Sequence, residues 1–327
     1  SQPMRPPSCN GSIKAQKIIE QMKTNSIMKR VMHLFLVTLL AWSASFTWCA
    51  AQEDSLMISV PENKPVKNTF NSIWLIDDQS VMVPIKGTFE FDLQHRFGLI
   101  NSGEQDMAGL FAPSNIRLGF EYVVLNKLMV GFGITKLNLT WDVNAKYAIW
   151  KQMQNGGMPV SVTYYGNAAF DTRSKDYFTN PDAIETLDRI SFFNQIIIAR
   201  KFSDRLSVQI APSLSHFNTV EAFKGDEGQT VDKYNNDHFA VALGARYQIS
   251  PVTSVLVNYD QPISTHEVQD PQPNLSFGVE IVTSSHQFQF FMTNFYNIIP
   301  QRNNLFNTNN PGDGEFLLGF NITRLWN

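Results

Sequence analysis

Cysteine is almost missing from this chain. Its 327 residues include two, Cys9 and Cys49, and none follows. From residue 52 onward there is no disulfide, no thiolate metal site and no cysteine nucleophile. Charge is scarce as well: Asp, Glu, Lys and Arg make up 17% of the residues, where about a quarter is usual for a soluble protein. The 26 basic and 29 acidic residues nearly cancel. No basic face stands out, which argues against a nucleic-acid partner. Long apolar runs are also absent. Beyond residue 50 none approaches the roughly 20 residues of a membrane-spanning helix, and mean hydropathy is −0.17. Catalytic signatures are missing too. There is no HExxH, no glycine-rich phosphate loop and no close cluster of carboxylates and histidines, so neither a metal nor another cofactor is expected. Ser284 and His286 share a face at a turn, but no third group completes a catalytic set. The chain is not expected to be an enzyme.

What the chain does have is aromatic residues, 12% of the total with 25 Phe, and a long series of two-residue alternations. In 238–249 the odd positions are Phe239, Val241, Leu243, Ala245, Tyr247 and Ile249, while the even ones are small or polar. A period of two marks a β-strand with two unlike faces. The same split recurs at 115–125, 139–150, 274–284 and 315–326. Twelve strands are expected, at about 86–98, 115–125, 127–134, 138–151, 158–169, 188–202, 205–217, 237–249, 252–261, 274–284, 286–298 and 314–326. Of these, 188–202 is apolar on both faces and cannot be oriented by pattern. The connections alternate in length. Tight links fall at Asn126, 152–157, Ser203-Asp204, Ser250-Pro251 and Ser285; long polar ones fall at 99–114, 170–187, 218–236, 262–273 and 299–313. Only the link near 135–137 breaks the alternation. A soluble β-sandwich would also alternate apolar and polar residues, but with shorter strands and no regular alternation of loop length. Closed antiparallel barrels of bacterial outer membranes have short periplasmic turns, long outer loops and strands of this length. The fold class is therefore all-β, a closed antiparallel transmembrane β-barrel of about twelve strands with both ends periplasmic.

The N-terminal part carries an address. Met28-Lys29-Arg30 precedes the apolar stretch 34–41, and Cys49-Ala50-Ala51 offers small residues for cleavage after Ala51, the pattern of a secretory signal peptide. The expected divisions are 1–27, an upstream segment with translation starting at Met28; 28–51, the signal peptide; 52–85, a periplasmic leader or partial plug; and 86–327, the barrel.

Several stretches resemble a Gram-negative family of outer-membrane β-barrel proteins to which no function is assigned. They are Asn71-Ser-Ile-Trp-Leu-Ile-Asp-Asp78, Lys86-Gly-Thr-Phe-Glu-Phe-Asp92 with Gln94-His-Arg-Phe-Gly98, Gly109-Leu-Phe-Ala-Pro-Ser-Asn-Ile-Arg117, Pro159-Val-Ser-Val-Thr-Tyr-Tyr-Gly166 and Gly319-Phe-Asn-Ile-Thr-Arg324. They span nearly all of the expected mature chain. The resemblance implies a barrel in the outer membrane and brings no catalytic or binding residues. Such barrels usually end on an aromatic residue; here Asn327 follows Trp326.

Strand parity places the charged side chains Glu90, Asp92, Arg96, Arg117, Glu121, Asp142, Lys146, Arg246, Asp260 and Glu280 on the inner face. On the lipid face a Lys or Arg would cost on the order of 2–4 kcal/mol at mid-membrane. Counting along the strands puts Glu90, Glu121, Arg246 and Glu280 at one height near the periplasmic mouth, as a constriction or a salt-bridge belt. Asp77 and Asp78, on the segment before the first strand, are expected to plug that mouth by pairing with Arg246. Three functions fit: a narrow channel or transporter for small polar or amphipathic solutes, a non-conducting docking barrel acting through its outer loops or leader, and, least supported, an outer-membrane hydrolase. The implied partners are outer-membrane lipid and the machinery that inserts barrels; the sequence does not fix an oligomeric state.

Overall fold

The structure, a computed structural model, describes residues 63–178, 181–220, 222–224 and 230–327. The expected upstream segment, the expected signal peptide and the start of the expected leader lie outside the described residues. Twelve strands form the wall: β3 (Phe89–Leu99), β4 (Asn115–Leu125), β5 (Leu128–Thr135), β6 (Thr140–Trp150), β7 (Ser161–Asp171), β8 (Ile190–Lys201), β9 (Leu206–Phe217), β12 (Asp237–Gln248), β13 (Thr253–Pro262), β14 (Asn274–Val282), β15 (His286–Thr293) and β16 (Leu317–Trp326). Each pairs antiparallel with its chain neighbours, and β16 pairs with β3 to close the barrel. Closure leaves no free strand edge, so every wall segment satisfies its backbone within the sheet, as a lipid setting demands. No helix among the described residues is long and apolar enough to cross a membrane; the crossing is made by strands.

The alternation sorts the side chains. On β6, Trp141, Val143 and Tyr147 are exposed outward while Asp142, Asn144 and Lys146 are buried inward. Phe89, Tyr122, Tyr147, Trp150, Tyr247 and Trp326 lie outward near the periplasmic strand ends, where amphipathic rings favour a membrane interface.

Two further pieces of chain fill the lumen. The first runs from about residue 68 to 85 and contains a tight hairpin, β1 (Trp74–Leu75) paired with β2 (Asp78–Gln79). At its turn Ile76 has φ +65°, which a β-branched residue rarely adopts. Such a conformation costs on the order of 1–3 kcal/mol. Complete burial of the Ile76 side chain offsets it. The second piece follows β15 and contains the helix α1 (Pro300–Phe306). A small hairpin, β10 (Ala222–Lys224) with β11 (Thr230–Lys233), extends an outer loop.

Four boundaries differ by three or more residues from the sequence expectation, one being the start of the twelfth strand at Leu317, not 314. The first wall strand begins at Phe89, not 86, because the chain is still leaving the lumen there: Gly87 takes φ +91° and donates to the Val123 carbonyl at 2.9 Å. The fifth begins at Ser161, not 158. The eleventh stops at Thr293, not 298, because Phe295, Ile298 and Ile299 turn inward and are buried.

Candidate functional site

The lumen is lined by inward residues, and most are polar. All ten charged residues assigned to the inner face by parity are buried. Ion pairs join some of them in two separate groups. Beneath β3–β6, Arg117 forks onto Asp142 (Nε–Oδ1 3.0 Å, Nη2–Oδ2 2.9 Å), reaches Asp92 at 3.2 Å and lies 3.7 Å from Glu121. Glu90 faces Glu121 across the β3–β4 pair. Gly119 and Gly133 leave room for this network; a Cβ at either would overlap Arg117 or its carboxylate partners. Arg246 and Glu280 pair separately at 3.3 Å. Arg96 stands apart, 4.6 Å from the ring of Phe291, and donates to Asn321 at 3.0 Å.

The inserted segment is seated in the space that remains. Phe70, Leu75, Ile76 and Val81 form a core with wall residues Tyr165, Phe193, Ile197, Leu256 and Phe291. Ile73, Trp74 and Val83 form another with Val123, Met129 and Ala148. Phe193 and Ile197 explain why β8 is apolar on both faces: one meets lipid, the other meets the insert. Gly244 marks the closest approach, since a Cβ there would overlap the Leu75 side chain. The insert's backbone is satisfied mostly by wall side chains. Lys146 donates to the carbonyls of Ile73 (3.1 Å) and Met82 (3.3 Å), Thr163 to Val81 (2.8 Å), Gln209 to Gln79 (3.0 Å), Gln287 to Asn71 (2.7 Å) and Gln289 to Trp74 (2.9 Å). Asn71 donates to Glu280 at 3.0 Å.

Asp77 and Asp78 therefore sit deep in the lumen, not at the periplasmic mouth, and Arg246 is not their partner. Its charge is already taken by Glu280, and the tight hairpin carries the aspartates past it. Asp77 accepts from Asn258 (3.1 Å) and from Asn303 of α1 (2.8 Å). Burial, reinforced by the adjacent Asp78 charge, pushes the Asp77 carboxyl up to about 7; burial pushes Asp78 up to about 6. Through Asn303 the two inserted pieces meet. Gln301 and Asn304 of α1 donate to Asn167 (3.1 Å) and Ser213 (3.3 Å) on the wall. Sequence reasoning missed these amide residues because Asn and Gln on an inner strand face look like ordinary pore lining. It also missed α1, which lies within a polar loop. At the turn near 285, His286 meets Ser285 (3.2 Å), not Ser284.

A closed antiparallel barrel with a lipid-facing exterior and a polar, occupied lumen is a membrane β-barrel protein, and its place is the outer membrane. The chain belongs to the membrane-bound beta barrel domain family DUF5777, whose model matches residues 70–326 and so takes in the inserted segment as well as the wall. No curated protein matches. Among solved structures, the chain is similar to the NanC porin (9% identity, 72% of this chain and 98% of that one, TM-score 0.44). It is also similar to the COG4313 outer membrane channel from Pseudomonas putida F1 (12% identity, 75% and 97%, TM-score 0.45). A third is the KdgM porin (7% identity, 73% and 98%, TM-score 0.39).

Proposed function

We propose that the protein is a gated channel or transporter for small polar or amphipathic solutes, and that the arrangement described is its closed state. One observation carries this reading: much of the lumen is filled by a stretch of chain separate from the wall strands. The wall around that stretch is part apolar, at residues such as Phe193 and Leu256, and part polar, and the contacts holding its backbone are single hydrogen bonds to Asn, Gln, Thr and Lys side chains. Each is worth only about 0.5–1.5 kcal/mol net. Withdrawal of the segment would leave a path lined by both polar and apolar side chains, which suits small polar or amphipathic solutes.

The test uses the lack of cysteine beyond residue 49. Val81→Cys with Thr163→Cys, in a chain beginning at residue 52, places thiols on two residues already joined by a 2.8 Å hydrogen bond. In planar bilayers the oxidised protein should be silent, and reduction should restore openings. Equal conductance in both states would refute gating by this segment. Silence in both, with the barrel folded, would favour the docking-barrel reading.

A further inference from the structure

Asp77, Asp78 and Asp260 bring carboxylate oxygens within 4.8 Å of one another, and all three side chains are buried. Two belong to the inserted hairpin and one to β13. Some of their oxygens are already used. Asn258 and Asn303 donate to the two oxygens of Asp77, and Asn274 donates to Asp260 Oδ2 at 3.4 Å. Asp78 Oδ2 and Asp260 Oδ1 have no donor. The side-chain oxygen of Asn258 also has none; that residue is 1% exposed, and its amide nitrogen already touches Asp77. Among the described residues no Lys, Arg or His nitrogen forms an ion pair with any of the three carboxylates. Arg96 attracts Asp77 without pairing with it; its Nη1 donates to Asn321 and the His95 carbonyl, and its Nε and Nη2 have no hydrogen-bond partner. Buried carboxylates in such a setting need a further positive charge or protons, and buried acceptors need a partner.

We propose that Asp77, Asp78, Asp260 and the side-chain oxygen of Asn258 form a binding site for a hard divalent cation, best matched by Ca2+, which fastens the inserted segment to the barrel wall. The donors are all oxygen, which selects hard cations over those that prefer sulfur or imidazole. Ca2+ takes many protein oxygens in irregular geometry, whereas Mg2+ demands a near-ideal octahedron and keeps several waters. The ion would supply the missing partner for the free oxygens and join two elements that otherwise share apolar packing and amide contacts. Protons compete for the same oxygens, so Ca2+ affinity should rise as pH increases from 5 to 8. The site stands whether or not the barrel conducts.

The test is calorimetric titration of CaCl2 into the EDTA-stripped full chain in detergent, with thermal melting alongside. One site per chain and a higher melting temperature with Ca2+ are expected. Asp78→Asn and Asp260→Asn keep the side-chain shape, and each should weaken Ca2+ binding at least tenfold. Asp260→Asn should also raise the melting temperature in EDTA, because it removes a buried charge, while abolishing the response to Ca2+. Absence of binding heat and of a melting shift in the unmodified protein overturns the proposal, and that measurement needs no variant. An unchanged Ca2+ response in both variants overturns the assignment of these residues.

Discussion

The wall and the inserted segment are stabilised in different ways. Each wall strand is hydrogen-bonded to a neighbour on both sides around a closed ring, and its inner charges are joined in networks such as Arg117 with Asp92 and Asp142. The inserted segment has one two-residue strand pair, a strained turn at Ile76 and a set of single side-chain contacts. Its apolar residues supply most of what holds it, about 1.5–3 kcal/mol for each large side chain fully buried. A closed sheet must come apart as a whole, whereas a segment held by packing and isolated hydrogen bonds can leave alone. The lesson is that one lumen can hold a rigid frame and a removable filling.

Four perturbations should separate the two, and a fifth probes the outer loops. The largest effect belongs to the wall. Arg117→Ala strips the partner from buried Asp92 and Asp142 and should cost the barrel about 3–5 kcal/mol, read from urea unfolding in detergent. Next comes the insert. Leu75→Ala should weaken its seating by about 2–5 kcal/mol while leaving the barrel's unfolding midpoint in place. Faster labelling of a Ser80→Cys thiol, at a site now fully buried, would report it. Gly244→Val attacks the same contact from the wall, and overpacking there should cost about 1–3 kcal/mol by the same readout. A smaller effect is expected from pH. In the seated state the carboxyls of Asp77 and Asp78 are raised from 3.8 to about 7 and about 6. The seated form therefore holds more protons than the released one between these values. Seating is strongest near pH 4 and weakens as pH rises through the raised values; melting in EDTA across that range checks it. The smallest effect lies at the outer loops. Partial burial lowers the His266 pKa below its ordinary 6.5, and His266 accepts from the Asn235 amide at 3.0 Å. This contact is present above the ordinary histidine range and should be lost as pH falls through the lowered value. An Asn235 amide NMR shift that follows acidification, and is absent in His266→Phe, would register it.

Sequence made the wall legible and the filling nearly illegible, for a physical reason. A period of two shows directly which face meets lipid, so 238–249 and 139–150 could be oriented by inspection. Parity also sends Arg117 and Lys146 inward, but it does not say what they meet there. The segment 68–85 has no period, because its residues are buried on all sides and no alternation is imposed. Its one trace in the wall was β8, whose inner Phe193 and Ile197 look wrong for a water-filled pore and right for a packed one. The Asp77–Asp78–Asp260 cluster joins residues far apart in the chain through a hairpin that reaches deep into the lumen. Helix α1 lies in a loop rich in Asn and Pro, where only burial in the finished barrel makes the Gln301, Asn303 and Asn304 contacts possible.

The most direct measurement of the difference between frame and filling is amide hydrogen exchange on the folded protein across a denaturant series below the unfolding transition. Amides of 70–83 should open with a lower free energy and a smaller denaturant dependence than those of β3–β9, reporting release of the segment from an intact barrel. Exchange of both regions with one common free energy and one common denaturant slope would mean that insert and wall unfold together, and would contradict the account.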